Sequence, residues 1–399
     1  MTRTSSASAL AEVGAVFLKL GLTSFGGPVA HLGYLHEEIV RRRRWVDEAD
    51  YADLVALCQF LPGPASSQLV FALGMRRAGL AGALVASAGF TLPSAMLMIL
   101  FACGVASLGD LRTAGWLHGL KLAAVAVVAQ AVWVMGRKLC PDRFRILLAL
   151  VAAAGVVSLP GTPAQVAAIG AGAIAGWWRY RRETPAGAPP AGGLDRRHGW
   201  AAAALIGWGV LLVALPALAA ATGLKPLAVA DGFYRAGALV FGGGHVVLPL
   251  LRAEVVPPGW VTDEVFLAGY GAAQAVPGPL FTFAAYLGAV IFGGPQAWLG
   301  GLACLGAIFL PAWLSIGGAL PFWHLLRGRV ASQAALRGAN AAVVGLLLAA
   351  LYRPVWTQGV TGTRDIAVVG AALALLEVWR VPPWLVVALA AAAGQWMHA

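Results

Sequence analysis

Long apolar runs, interrupted by glycine–proline breaks and short basic loops, set the pattern of the chain. Residues 201–221 carry no charged side chain, and neither do residues 366–376. Runs of this kind recur along the sequence, and about 20 apolar residues of helix span a bilayer core. Other apolar segments are too short for that. Residues 49–61 end at Pro62-Gly63-Pro64, and a second short run, 65–74, follows. At about 1.5 Å per residue each falls well below the ~30 Å of hydrocarbon. The two prolines remove backbone donors and end the helix. Two half-length helices flanking a break predict a re-entrant hairpin, and segments 265–276 and 280–292 predict another. The Phe25-Gly26-Gly27-Pro28 break divides 10–24 from 29–40 in the same way, with a partner break at 241–244. Two geometries stay open for the Phe-Gly-Gly segments: a re-entrant hairpin, or one spanning helix with a kink.

The breaks recur because the chain repeats itself. Phe17 aligns with Phe233, Phe25-Gly26-Gly27 with Phe241-Gly242-Gly243, and Glu38 with Glu254. Trp45-Val46 aligns with Trp260-Val261, Gln59 with Gln274, and Pro62-Gly63-Pro64 with Pro277-Gly278-Pro279. Gly82 then matches Gly300, and Leu92-Pro93 matches Leu310-Pro311. Matched Trp, Gln, Glu and Pro in constant order mark an internal repeat rather than a shared bias toward Gly and Ala. The expected organisation is an N-terminal repeat over 1–178, a polar linker over 179–199, a connecting transmembrane helix over 200–226 and a C-terminal repeat over 227–399.

Composition restricts the class. Hydrophobic residues make up 60% of the chain and charged residues 11%, against roughly 25% charged in soluble domains. The bilayer is therefore the expected partner. The net charge of +11 does not indicate nucleic acid, because the basic residues sit in short loops beside apolar segments, as on a cytoplasmic membrane face. The four cysteines have no metal-ligand or disulfide spacing. Residues 1–9 lack a signal-peptide pattern.

Charge also orients the segments. Arg41 to Arg44, Arg76, Arg77, the cluster from Arg137 to Arg145 and the linker arginines are expected inside. Residues 79–106 then cross outward and 113–136 return, 146–160 and 162–178 make another round trip, and 201–221 leads out. The counterpart loops of the second half, Pro257-Pro258-Gly259 and Gly293-Gly294-Pro295, lack Lys and Arg. The expected fold is an all-α integral membrane protein of two inverted-topology repeats with broken helices and re-entrant hairpins.

Such breaks are where chemistry is expected. A helix that starts at membrane depth directs unpaired N–H groups and its positive dipole end at a cavity, which suits an anion. The candidate binding groups are Ser24, Gly26, Gly27, Gly242 and Gly243 at the Phe-Gly-Gly breaks. Gln59, Gly63, Ser66, Ser67 (followed by Gln68), Gln274, Gly278 and Thr282 flank the Pro-Gly-Pro breaks. Lys19 and Arg235 are repeat equivalents six residues before each Phe-Gly-Gly. Cations within apolar helices are costly and mark function, although each could also snorkel or pair: Arg235 has Asp231 at i−4, whereas Lys19 has only Glu12 nearby, two turns away. Lys121 is a third cation, and Asn340 occupies its place in the second half. Glu38 and Glu254, repeated near the breaks, are candidates to carry a coupled proton. Trp45 and Trp260 are expected to anchor at the interface. No nucleotide-binding motif, metal cluster or nucleophile–base pair appears, so neither a cofactor nor an enzyme is expected.

At these residues the sequence resembles the chromate ion transporter family in its long form with two homologous domains. Phe25-Gly26-Gly27-Pro28, Trp45-Val46, Gln59-Phe60-Leu61-Pro62-Gly63-Pro64, Phe241-Gly242-Gly243-Gly244-His245 and Gln274-Ala275-Val276-Pro277-Gly278-Pro279 carry the resemblance over nearly the whole chain except the linker. It implies a multi-pass protein of the inner membrane that exports chromate, coupled to the proton gradient, and confers chromate resistance. The residues themselves point only to a small inorganic anion. Sulfate, a tetrahedral dianion of similar size, stays open as the cargo. A homodimer is carried forward as the expectation on assembly.

Overall fold

The computed structural model describes residues 6–107, 115–159, 161–182, 199–241, 243–323 and 330–398, and these contain helices and turns but no strand. Residues 183–198 of the linker and Gly242 lie outside the described residues, as do Arg327 and Arg329, whose loop the charge pattern expects inside. Among the described residues, five helical stretches are long and apolar enough to cross a bilayer: Ala65–Ala106, Gly115–Leu139, Gly199–Thr222, Gly294–Phe322 and Val330–Gly359.

The N-terminal half begins with α1 (Ser6–Thr23), then α2 (Gly27–Leu35), which continues as a π-helix, His36–Arg42. Gly26 and Gly27 make the break between them with φ of 98° and 77°, a region open to glycine. The structure decides between hairpin and kink. Glu12 of α1 and Arg43, just beyond the π-helix, form an ion pair at 3.0 Å. A continuous helix would hold them roughly 46 Å apart, so the chain folds back at Phe-Gly-Gly.

The next hairpin is α3 (Glu48–Phe60) and the first part of α4 (Ala65–Ser107). Asp47 caps α3, its carboxylate accepting from Asp50 N at 2.7 Å. Pro62-Gly63-Pro64 separates the two helices, as the sequence predicts. Helix α4 is itself bent, with non-helical backbone at Ala78 and Gly79. Its first part folds back so closely that a β-carbon on Gly74 would lie 2.5 Å from the Gly82 carbonyl oxygen. A half-length helix therefore leads into a full span.

The second half repeats this sequence of elements. Helix α8 (Gly199–Thr222) leads in and is exposed or half-buried along nearly its whole length, with Ala201 its one fully buried residue. An apolar helix exposed all round is at home in lipid. It is followed by α9 (Lys225–Ala238), α10 (Val247–Val255), α11 (Asp263–Ala273), α12 (Phe283–Phe292) and α13 (Ala297–Ala319). Thr262 caps α11, at the position equivalent to Asp47. Gly288 and Gly300 meet at the fold-back between α12 and α13, a β-carbon on Gly300 lying 2.7 Å from the Gly288 carbonyl oxygen. Pro93 in α4 and Pro311 in α13 are internal prolines. Close to each, a glycine of the half's first helix packs on backbone: Gly21 against Gly89, and Gly237 against Ile308.

The remaining helices interlock the halves. They are α5 (Gly115–Leu139), α6 (Arg143–Ser158) and α7 (Thr162–Tyr180) in the first half. Their counterparts are α14 (Val330–Ala350), α15 (Thr363–Glu377) and α16 (Pro383–His398). Helices α6 and α7 pack mainly on α14 of the other half, and α15 and α16 pack on α5. Small residues make both contacts close. A β-carbon on Gly176 would lie 2.6 Å from the Gly338 nitrogen, and one on Gly394 would lie 2.5 Å from the Gly119 nitrogen. In lipid such backbone-to-backbone packing is a main source of helix association.

Candidate functional site

The four breaks bond to one another across the halves. The Gly63 amide of the first Pro-Gly-Pro donates to the Val240 carbonyl at 2.7 Å, immediately before the second Phe-Gly-Gly. The Gly278 amide of the second Pro-Gly-Pro donates to the Ser24 carbonyl at 2.8 Å, immediately before the first. Ser24 and Val240 are repeat equivalents, as are Gly63 and Gly278. The Phe-Gly-Gly breaks also meet directly: a β-carbon on Gly244 would lie 3.2 Å from the Pro28 ring, and these two positions are again equivalent. The structure thus gathers all four breaks around a local pseudo-two-fold relation.

Both central glycines are tightly enclosed. Gly63 has φ of 125°, and a β-carbon there would lie 2.9 Å from Gln68 Nε2 and 3.2 Å from Ala312 Cβ. Gly278 has φ of 96°, with Ser94 Oγ only 2.6 Å from the same position. Any larger residue meets both backbone strain and a collision. Because each amide is taken by a carbonyl, these two glycines supply shape, and hydrogen-bonding groups must come from neighbours.

The neighbours are side chains at the starts of the returning helices. His31 is buried between two breaks, its Nε2 3.2 Å from the Ser24 carbonyl and its Nδ1 3.4 Å from Ser66 Oγ. A carbonyl only accepts, so Nε2 carries the hydrogen and Nδ1 accepts from Ser66. Ser66 is therefore engaged. Among the described residues Ser67 Oγ, Gln68 Oε1 and Asn340 Oδ1 are buried with no partner, while the Gln274 amide faces the Tyr270 hydroxyl one turn back on α11. Thr282 Oγ1 donates to the Pro279 carbonyl at 2.9 Å and so closes its own turn. Gln59 is exposed, unlike its partner Gln274.

The candidate cations divide. Lys19 Nζ pairs with Glu38 at 3.1 Å, and Arg235 pairs with the equivalent Glu254 at 3.4 Å. The expected neighbour of Lys19, Glu12, instead binds Arg43 and Arg77. Glu38 also accepts from Arg43 Nε at 2.9 Å. Arg235 additionally binds Asp231, and Thr162 Oγ1 donates to Glu254 at 2.7 Å. The first node thus holds a carboxylate among several cations, whereas the second sets two carboxylates around one guanidinium. Lys121 makes no ion pair among the described residues. Its neighbour Leu120 packs its backbone on Gly271, one turn before Gln274.

Sequence reasoning located the breaks and most of the groups beside them. His31 and the acceptor oxygen of Gln68 were not among its candidates. The signal for both was position, since each lies within one or two helical turns after a break.

Comparison with known proteins matches this organisation. The family model of chromate transporters covers residues 11–177 and 227–395, one stretch in each half. A chromate transport protein of Pseudomonas aeruginosa is 32% identical over 91% of this chain and 86% of its own length. One of Cupriavidus metallidurans is 30% identical over 84% of this chain and 80% of its own. A probable chromate transport protein of Synechococcus elongatus is 27% identical over 97% and 95%. No solved structure matches the chain. The relatives carry the names of transport proteins rather than of enzymes.

Proposed function

The chain belongs to the chromate transporter family, and on that premise we propose that it is a secondary transporter exporting chromate from the cytoplasm across the inner membrane, coupled to the proton gradient and conferring chromate resistance. The observation that carries this reading is the pair of crossed hydrogen bonds, Gly63 to Val240 and Gly278 to Ser24. They bring four helix breaks to one place between two related halves, where backbone and small side chains can surround a tetrahedral anion. Ser67 supplies an uncommitted donor, Gln274 flanks the second Pro-Gly-Pro break, Lys121 supplies positive charge, and Gly26, Gly27 and Gly243 keep the approaches open. Glu38 and Glu254, each already paired with the cation of its own half, are the groups proposed to exchange a coupled proton.

We also infer that the halves, 1–178 and 227–399, have inverted topology. The long helices support it. Ile99, far along α4, packs on Gly301 near the start of α13, while Gly317, near the end of α13, packs on Phe71 beside the first Pro-Gly-Pro helix. Each long helix therefore runs from its own hairpin base to that of the other half, as expected when the bases lie on opposite faces. Helix α8, an additional crossing between the halves, supplies the required change of side.

Flux into proteoliposomes tests the proposal. Chromate should move against its gradient when a pH gradient is imposed, and chloride should not. Equal chloride flux, or chromate flux indifferent to the gradient, would contradict a coupled oxyanion carrier.

A further inference from the structure

The unpartnered groups at the breaks are not of one kind. Ser67 Oγ brings a hydrogen, whereas Gln68 Oε1 brings only lone pairs. Chemistry fixes which end of the Gln68 amide is oxygen. The other end lies 2.8 Å from the Pro62 carbonyl, which only accepts, so that end is the nitrogen. The second hydrogen of this nitrogen goes to Ser315 Oγ at 3.2 Å, and Ser315 gives its own to the Ala312 carbonyl at 3.0 Å. Flipping the amide would therefore break good bonds without supplying Oε1 with a donor. Gln68 is 0% exposed, and its amide rests on the Gly63 turn, itself bonded to the other half. An unmatched buried acceptor is costly to keep. At an anion site it would face the lone pairs of a fully deprotonated oxyanion and repel them. It suits an oxyanion that still carries one proton.

We propose that the break site recognises its cargo as the monoprotonated oxyanion, with Gln68 Oε1 accepting the cargo's O–H while the neighbouring Ser67 Oγ donates to another of its oxygens. This rests on the reading of the breaks as the transport site, and it deepens that reading by separating two anions of the same shape. Hydrogen chromate coexists with chromate near neutral pH. Hydrogen sulfate is a strong acid, so sulfate there is wholly the dianion and has no hydrogen to give. A site built to bond a substrate hydroxyl rejects an analogue lacking it by large factors, about 10⁴ in favourable cases. A monoanion leaving a negative interior is also driven by the membrane potential, so this choice of cargo form makes no added demand on Glu38 or Glu254.

The test uses the full chain in proteoliposomes with equal pH on both sides and the potential clamped. Initial rates are measured for chromate, molybdate and sulfate from neutral into acid solution. Above the pKa of hydrogen chromate the chromate rate should fall about tenfold per pH unit, following the protonated species. With molybdate, which takes up a proton only in more acid solution, the midpoint should shift to lower pH. Sulfate should be at least about a hundredfold slower throughout. Gln68→Met, which keeps length and removes the acceptor, should flatten the pH dependence and cut the preference for chromate over sulfate at least tenfold. A single midpoint shared by chromate and molybdate would assign the titration to the protein and overturn the inference, as would sulfate flux equal to that of chromate. The pH series needs no variant, so misfolding of Gln68→Met would leave the test in force. Absence of flux for every oxyanion would overturn the transport reading itself.

Discussion

At the scale of single residues, the candidate cations separate into Lys19 and Arg235, held in ion pairs, and Lys121, which makes none among the described residues. Lys19 and Arg235 look alike in sequence, and each binds the equivalent glutamate of its half. Their removal should nevertheless have different effects. Without Lys19, Glu38 keeps Arg43 at 2.9 Å. Without Arg235, Asp231 and Glu254 are left facing each other with no guanidinium, and stranding a buried charge costs about 3–5 kcal/mol. Arg235→Ala should therefore lower the melting temperature in detergent clearly more than Lys19→Ala. Equal melting temperatures would refute the difference between the two nodes. Lys121→Ala should act otherwise, reducing chromate flux at least tenfold with normal abundance and melting. Normal flux in that variant would remove Lys121 from the site. Ser66→Ala should be milder, because its hydroxyl serves His31, and Thr282→Ala likewise, because its hydroxyl closes a turn.

At the scale of elements, the breaks were legible because proline and glycine act locally. Pro62-Gly63-Pro64 ends a helix whatever surrounds it, and the repeat doubled the signal. Contacts between distant segments were not legible. Along α1 Lys19 has only Glu12 nearby, two turns away, but the fold-back at Gly26 and Gly27 brings Glu38 to it. The crossed bonds of Gly63 and Gly278 use backbone atoms, which leave no mark on residue identity. The exchange of α6–α7 and α15–α16 between halves left only a faint trace in small residues at four-residue spacing: Gly115 and Gly119, Gly172 and Gly176. Those residues make a prediction. Leu at Gly119 or Gly338 would drive a side chain into the backbone of the facing helix and should abolish monodisperse protein on size exclusion. Leu at Gly104, where a β-carbon meets nothing within 4 Å, should be tolerated. Intact Gly119→Leu protein would show that the interlock is not needed for assembly.

At the scale of the whole molecule, two halves that exchange helices and cross-bond their breaks should act as one body around one site. Inverted topology predicts that single cysteines at Arg76 and Arg181 label only from the cytoplasm, while those at Gly259 and Gly294 label only from outside. Labelling of positions 76 and 294 from the same side would sink the inverted arrangement. The central claim, that the four breaks form the anion site, is tested most directly by oxyanion affinity in purified, folded protein with Val at Gly63 or at Gly278. Each position has left-handed backbone and no room for a side chain, and each turn is tied to the opposite half. The account predicts that either substitution alone abolishes chromate binding, while Val at exposed Gly104 leaves it unchanged. Wild-type affinity in both the Gly63→Val and Gly278→Val proteins would contradict it and place the anion elsewhere.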